Sequence, residues 1–118
     1  MDDTFLRTML FDFYGDLLTD KQREYYDLHY MSDLSLFEIA EMNGTSRQAV
    51  WDIIRRAEQT LRQIEEKTGL IRRFAETQKG LDELEGIVGA LLELPLEAES
   101  RALAEGLRRR IRDLRTRG

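Results

Sequence analysis

Apolar residues recur along this chain with the spacing of an α-helix, from the first residues to the last. A period of 3.6 residues is typical of amphipathic helices, whereas no stretch alternates apolar and polar residues over the length of a strand. The chain also contains one proline, Pro95, and few clusters of Gly and Ser that could form strand-connecting turns. The pattern therefore predicts an all-α fold: a helix-turn-helix bundle with a long recognition helix and a C-terminal helical extension.

Capping residues divide the N-terminal half into four helices. A Ser or Thr followed three residues later by Glu or Gln is a capping box, and a glycine after the last apolar position is a stop signal. The predicted helices run from Thr4 to about Leu18, from the Thr19 cap to about Met31, onward from the Ser35 cap, and from a Thr45 or Ser46 cap to Gly69.

The segment Ser35–Ile54 has the spacing of a helix-turn-helix. Ala40 is small where the second helix would cross closely, and Gly44 falls in the turn, where a left-handed backbone favours glycine. Val50 and Ile53 are expected to face inward and hold the two helices together. We therefore predict a helix-turn-helix domain over residues 1–69.

Residues 70–118 are predicted to form a helical hairpin with an arginine-rich end. Apolar residues at helical spacing occur on both sides of Pro95, which would break the chain between two helices. The positions are Leu81, Leu84, Val88 and Leu91 before the proline, and Leu103, Leu107, Ile111 and Leu114 after it.

Composition describes a globular, soluble chain of 118 residues with 42% hydrophobic and 35% charged residues and no cysteine. No apolar run reaches the roughly 18 residues of a membrane span, and the acidic start Met1-Asp2-Asp3 is unlike a secretory signal, so we expect a cytoplasmic protein. Up to Leu70 the chain has 8 Lys and Arg against 14 Asp and Glu, a net charge of −6. From Ile71 onward it has 10 against 9, a net of +1.

If the helix-turn-helix binds DNA, the start of its second helix would enter the major groove. Arg47 could contact guanine and Gln48 adenine, while Ser46, Arg55 and Arg56 could hold phosphates. The acidic charge of this half of the chain argues against tight binding by a monomer.

Two residues on the same helix also argue against groove entry: Asp52 would repel phosphates, and Trp51 is a large aromatic. Trp51 is instead a candidate for a dimer or packing surface. Phe11 and Tyr14 are grouped with it, because the first helix carries more apolar residues than one face requires.

The arginines of the last helix are a second candidate surface, with a local charge of +5 from Arg101 to Gly118. They could contact RNA phosphates or an acidic protein, or they could form a solvated basic face; a membrane-surface helix is the least favoured alternative. These arginines are Arg101, Arg108, Arg109, Arg110, Arg112, Arg115 and Arg117.

Catalytic chemistry has no support in the sequence. Asp12 and Asp16 are one helical turn apart, but they are expected to be solvated, and His29 lies among aromatic and aliphatic residues as a structural histidine would. We therefore expect a non-enzymatic protein with no cofactor and no metal.

Leu10–Glu58 resembles the YlxM-like family of small bacterial helix-turn-helix proteins, through the combination of Leu10–Thr19 with the SRQAV sequence of Ser46–Val50. SRQAV alone is also similar to the promoter-reading domain of sigma factors. The resemblance covers about residues 5–75, and beyond it the Arg-rich end is expected to be this chain's own. Trp51 stands where a tyrosine would be expected. Genes of this family lie beside those of the signal recognition particle and its receptor.

The resemblance implies an all-α fold, a homodimer and a regulatory role in signal recognition particle-dependent protein targeting. The favoured hypothesis is therefore a regulatory binding protein that contacts protein or RNA components of that pathway. The alternatives are a dimeric DNA-binding transcriptional regulator that reads DNA with the second helix of the motif, and a sigma-like domain that docks on polymerase.

Overall fold

The computed structural model describes residues 2–117, and within this range the chain forms helices and no strand. The all-α prediction is thus confirmed. The α-helices are α1 (Asp3–Tyr14), α2 (Asp20–Tyr26), α3 (Leu36–Asn43), α4 (Arg47–Thr68), α5 (Leu70–Leu92) and α6 (Ala98–Arg117). No helix in the described range combines the length and hydrophobicity needed to span a bilayer.

Helix boundaries in the N-terminal half follow the capping residues. Thr19 and Ser35 both form complete capping boxes with the residue three positions on, and Ser46, rather than Thr45, caps α4. Gly44 and Gly69 end α3 and α4 in the left-handed conformation, each with φ of +63°. Glycine adopts this conformation without the steric cost that a Cβ imposes, so both stop signals were correctly identified.

The first helix ends earlier than predicted. α1 stops at Tyr14, and Gly15–Leu17 tighten into a 3₁₀ turn instead of continuing the α-helix to Leu18. A Cβ on the buried Gly15 would lie 3.1 Å from the ring of Phe11. Gly15 therefore permits a close approach of the aromatic ring, a use of glycine that apolar periodicity does not reveal.

The second helix widens before it ends. After α2, residues Asp27–Met31 form a π-helical turn closed by the Ser32 N–H, which donates to the carbonyl of Asp27 at 3.0 Å. Asp33 then takes a left-handed φ of +59°. The predicted end at Met31 is correct, but the wider turn was not anticipated.

Two apolar clusters along α4 form the core of the N-terminal half. The half of α4 nearer Gly69 packs with α1 and Tyr26, and the half nearer Ser46 packs with α3 and Tyr25. The first cluster comprises Leu10, Tyr14, Leu18, Tyr26, Ala57, Leu61 and Ile71, and the second comprises Tyr25, Ile39, Ala40, Val50 and Ile54.

The inward face of α4 differs from the prediction at one position. Val50 is fully buried as expected, but its buried partner one turn on is Ile54, whereas Ile53 is half-buried at the edge of the cluster. Residues three or four apart lie on the same face of an α-helix. The buried stripe of α4 therefore continues from Val50 to Ile54, Ala57 and Leu61.

The chain divides into two compact units after Ile71. In the second unit, α5 and α6 form an antiparallel hairpin, because Glu85 near the middle of α5 accepts from Arg112 at 2.7 Å and Leu92 at its end accepts from Arg101 at 3.2 Å. The apolar cluster between the helices is small and contains Leu81, Val88 and Ile111 with Leu92 at its edge. The other five leucines of the predicted apolar faces of this hairpin are exposed.

Candidate nucleic-acid interface

The turn between α3 and α4 holds the two helices of the motif at a close crossing. The Thr45 N–H donates to the Ala40 carbonyl at 3.1 Å, across the left-handed Gly44. Ala40 is only 4% exposed, consistent with the small side chain that a close crossing needs. The Ser46 side chain accepts from the Ala49 N–H at 3.1 Å, so α4 begins with its first turn capped and its outer side open to solvent.

The first three turns of α4 present a shallow cleft of mixed polar and apolar lining and a row of basic side chains. The cleft has a volume of about 460 Å³ and is lined by Leu36, Ser46, Arg47, Gln48 and Trp51. Arg55 and Arg56 follow it along the exposed side of the helix. The candidate residues Ser46, Arg47 and Gln48 therefore share one site, and the other two arginines extend it towards the middle of α4.

Three arginines on this surface are free of internal ion pairs. Within residues 2–117, no carboxylate lies within 4.0 Å of the guanidinium of Arg47, Arg55 or Arg56. In contrast, Arg62 on the same helix pairs with Glu58 at 3.0 Å. An exposed guanidinium without a protein partner keeps its donors available for a phosphate.

Asp52 fixes the orientation of Gln48. The Gln48 amide donates to the Asp52 carboxylate at 3.0 Å, across one turn of α4. This hydrogen bond uses one amide hydrogen and leaves the second hydrogen and the carbonyl oxygen of Gln48 able to contact a base edge. Asp52, which we expected only to repel phosphates, thus also orders the residue proposed to read adenine.

The three aromatic residues considered for a dimer surface pack within their own unit. Tyr14 is 3% exposed and its hydroxyl donates to Glu65 at 2.6 Å, so it is not accessible to a second copy. Phe11 stacks on Tyr26 with ring centroids 5.3 Å apart, and Trp51 packs on the cluster beneath the helix-turn-helix. Of the two alternatives for this group, the geometry supports packing.

Most arginines of the last helix are engaged within the C-terminal unit, which is contrary to a free basic face. Arg112 and Arg115 pair with Glu85 and Asp82 of α5, Arg110 and Arg117 pair with Asp113, and Arg101 donates to the carbonyls of Leu92 and Leu94. Among the described residues, only Arg108 and Arg109 of the seven lack such a partner. Glu85 and Asp82 of α5 thus offset part of the local charge of +5.

A part-buried clamp around Glu58 positions α4 against α1. The Glu58 carboxylate accepts from Arg7 at 2.8 Å and from Arg62 at 3.0 Å. Burial opposes ionisation of Glu58, but the two arginines outweigh it and hold the pKa of this carboxyl below its ordinary value. Glu58 and Arg62 are four residues apart on one helix, a spacing from which an ion pair can be predicted. Arg7 lies 51 residues from Glu58, so no pattern in the sequence predicts their pairing.

The only histidine has a structural position, as predicted. Nδ1 of His29 lies 2.8 Å from the carbonyl oxygen of Leu34, where the ring ties the π-helical turn to the segment before α3. The ring also lies beside Tyr30, with the centroids 4.8 Å apart. Asp16, which was considered with Asp12 as a possible catalytic carboxylate, forms an exposed ion pair with Arg23 at 3.1 Å.

Comparison with known proteins agrees with this architecture. Residues 1–90 match the model of a family described as "UPF0122: Putative helix-turn-helix protein, YlxM / p13 like". A UPF0122 protein of Thermoanaerobacter sp. is 44% identical over 115 residues, which are 97% of this chain and 98% of the relative. A UPF0122 protein of Bacillus cereus is 47% identical over 88 residues, 75% of this chain and 80% of the relative.

The similarity extends further than the expected residues 5–75. It includes most of α5 in the family model and nearly the whole chain in the Thermoanaerobacter protein, so the C-terminal hairpin is not peculiar to this chain. The match over most of the chain, together with the observed α3–turn–α4 geometry, establishes the family. The chain belongs to the UPF0122, or YlxM/p13-like, family of helix-turn-helix proteins.

Proposed function

We propose that the protein is a non-enzymatic regulatory binding protein of the signal recognition particle-dependent targeting pathway, and that it binds RNA phosphates through α4. The observation that carries the binding surface is the set of exposed guanidinium groups of Arg47, Arg55 and Arg56, which have no ion pair within the described range. The assignment to this pathway rests on the family resemblance, because genes of this family lie beside those of the signal recognition particle. The resemblance also implies a homodimer, which would present two copies of α4.

The proposed binding surface lies on the helix-turn-helix rather than at the arginine-rich end of the chain. The arginines of α6 are mostly paired with carboxylates, whereas those at the start of α4 are not. Arg47 and Arg55 are eight residues apart, about 12 Å along the helix. Because the chain up to Leu70 has a net charge of −6, we expect weak, salt-sensitive binding by each α4.

A second candidate is a dimeric DNA-binding transcriptional regulator. The Gln48–Asp52 hydrogen bond favours it, since an ordered glutamine beside a free arginine in the first turn of α4 suits adenine and guanine edges in the major groove. On this hypothesis Gln48 supplies sequence selectivity, and each such contact contributes roughly 1–3 kcal/mol of discrimination.

The test measures binding to fluorescent signal recognition particle RNA, and to duplex DNA selected from a random pool, over a series of salt concentrations. We expect the R47A/R55A double variant to lose most RNA affinity and to reduce the slope of log K against log salt by roughly 1.4–1.8 for the two lost contacts. The matched control is R108A/R109A, which removes the two unpaired arginines of α6 and should leave binding unchanged.

The outcomes separate the candidates. If R108A/R109A alone abolishes RNA binding, the surface lies on α6 and the α4 proposal is wrong. If the duplex binds more tightly than the RNA and Q48A removes its sequence preference, the protein is the DNA-binding regulator. If neither nucleic acid binds the wild-type chain, both are rejected, and capture from a lysate with and without nuclease will identify the protein partner.

A further inference from the structure

The cleft at the start of α4 has an aromatic wall as well as polar groups. Its lining includes Trp51 and Leu36 beside Arg47 and Gln48, around a volume of about 460 Å³. Trp51 is half-buried, because it packs on the cluster beneath the helix-turn-helix and also forms part of the cleft wall. The indole is therefore held in place by packing and still presents part of its surface to a ligand.

The indole lies between two arginines that have no ion pair. Arg47 and Arg55 are each four residues from Trp51, so the three residues follow one another along a single stripe of α4. Within residues 2–117, neither guanidinium has a carboxylate within 4.0 Å. Proteins that bind single strands combine cationic side chains along the phosphate backbone with aromatic rings on which bases stack. The stripe has both of these components in alternation.

A base-paired duplex fits this surface less well. Inside a duplex, neighbouring pairs cover both faces of each base, so an indole in a cleft has no base on which to stack. The major groove of double-stranded RNA is also too deep and narrow for side chains to read. Asp52 lies beyond Gln48 on the edge of α4 away from Arg47, where it would face the phosphates of a second strand. A single strand that follows the stripe avoids this carboxylate.

We propose that the cleft binds an unpaired RNA nucleotide, whose base stacks on the indole of Trp51 while the phosphates on either side contact Arg47 and Arg55. The inference rests on the proposed binding of RNA by α4 and names the form of RNA that the site accepts: a loop, a bulge or a single-stranded end. Bases in such segments are free to leave the stack and contact an aromatic side chain.

Gln48 gives the cleft a preference for adenine. It lies three residues before Trp51, on a neighbouring part of the same surface, and its hydrogen bond to Asp52 orients the amide. One amide hydrogen and the carbonyl oxygen remain able to contact a base. This donor and acceptor match the N7 acceptor and the N6 donor of adenine, whereas guanine presents two acceptors on the same edge. The preferred ligand is therefore an unpaired adenine.

Tryptophan fluorescence tests the stacking directly, because Trp51 is the only tryptophan of the chain. The full chain is titrated with a short oligo(rA) and with a fully paired RNA duplex of the same length. The anisotropy of a label on the RNA measures binding in both titrations. We expect oligo(rA) to quench the indole emission and the duplex to leave it unchanged at equal saturation. This measurement uses the wild type and depends on no substitution.

Variants at position 51 measure how much stacking contributes to affinity. Trp51→Phe keeps a ring and should retain most of the affinity for oligo(rA). Trp51→Leu keeps only an apolar side chain for packing and should weaken binding by roughly 5- to 150-fold. The matched control is Phe37→Leu, which removes an exposed aromatic ring of α3 and should bind as the wild type does. Circular dichroism checks that each variant keeps its helices.

The outcomes distinguish this inference from the α4 proposal. If the duplex binds as tightly as oligo(rA), without quenching and without an effect of Trp51→Leu, the stacking site is rejected, and the R47A/R55A result decides the α4 proposal separately. If no RNA binds the wild type, both are rejected. Oligo(rU) that binds as tightly as oligo(rA) would overturn the role of Gln48, and tighter binding of oligo(dA) would overturn the choice of RNA.

Discussion

The two units of this protein are built from similar amphipathic helices but bury them to different extents. Up to Ile71, two clusters along α4 contain twelve buried residues, among them the fully buried Tyr26, Ile39 and Ile54. Among the described residues from Arg72 onward, one cluster contains three buried residues, and the exposed leucines of this unit outnumber its buried ones. An amphipathic pattern thus indicates that a helix has an apolar face, but it does not indicate whether the same chain covers that face.

A pair of matched truncations should give the largest contrast between the units. Ile54→Ala removes a fully buried side chain of α4 and should lower the free energy of unfolding by about 2–5 kcal/mol. Leu103→Ala removes a side chain that is 72% exposed and should change the unfolding of a monomer by less than about 0.5 kcal/mol. Chemical denaturation measures both, at a concentration below the dimer dissociation constant. A comparable loss for Leu103→Ala would show that this side chain is buried within the monomer, contrary to its exposure.

The ion pairs of Glu58 with Arg7 and Arg62 should make the free energy of unfolding depend on pH. Because the pKa of Glu58 in the folded chain lies below its ordinary 4.5, its contribution is complete above pH 4.5 and disappears as the pH falls through the folded-state pKa. Glu58→Gln should lower the free energy of unfolding near neutral pH by about 1–2 kcal/mol, since the clamp is partly open to solvent.

Urea denaturation at several pH values checks this, with Glu85→Gln in the exposed ion pairs of α5 as the control. We expect the difference between wild type and Glu58→Gln to shrink below pH 4.5. A difference that stays constant over this range would mean that the clamp acts through packing rather than through charge.

The same glycine-to-alanine change should have opposite signs in the two units. A Cβ on Gly44 meets no atom within 4 Å, so the cost of Gly44→Ala is that of the left-handed backbone at φ +63°, about 1 kcal/mol. Gly86 lies within α5 and also has free space, so Gly86→Ala should raise stability by about 0.5–1 kcal/mol. Thermal unfolding of both variants checks the signs. A destabilising Gly86→Ala would indicate a close neighbour at this position in the assembled protein.

Local chemistry made the helices and the motif predictable. Capping by Thr19 and Ser35 depends on residues within one turn, and the left-handed turn at Gly44 depends on the absence of a Cβ. The candidate site on α4 could be named for the same reason, because its residues lie within three turns of a capped helix start. The end of α1 at Tyr14 was missed, because the apolar spacing that set the predicted end at Leu18 does not distinguish an α-helix from the 3₁₀ turn of Gly15–Leu17.

The sequence by itself determined that this protein is all-helical, where four of its helices begin, and that Ser35–Ile54 is a helix-turn-helix, because those properties depend on neighbours along the chain. Only the tertiary structure decided which charged side chains form ion pairs and which are left to contact a ligand. It joined Arg7 to Glu58 across 51 residues, paired most α6 arginines with carboxylates and, within residues 2–117, left Arg47, Arg55 and Arg56 without an ion pair. Ion pairs depend on distances in space, and a count of charges along the chain does not contain those distances.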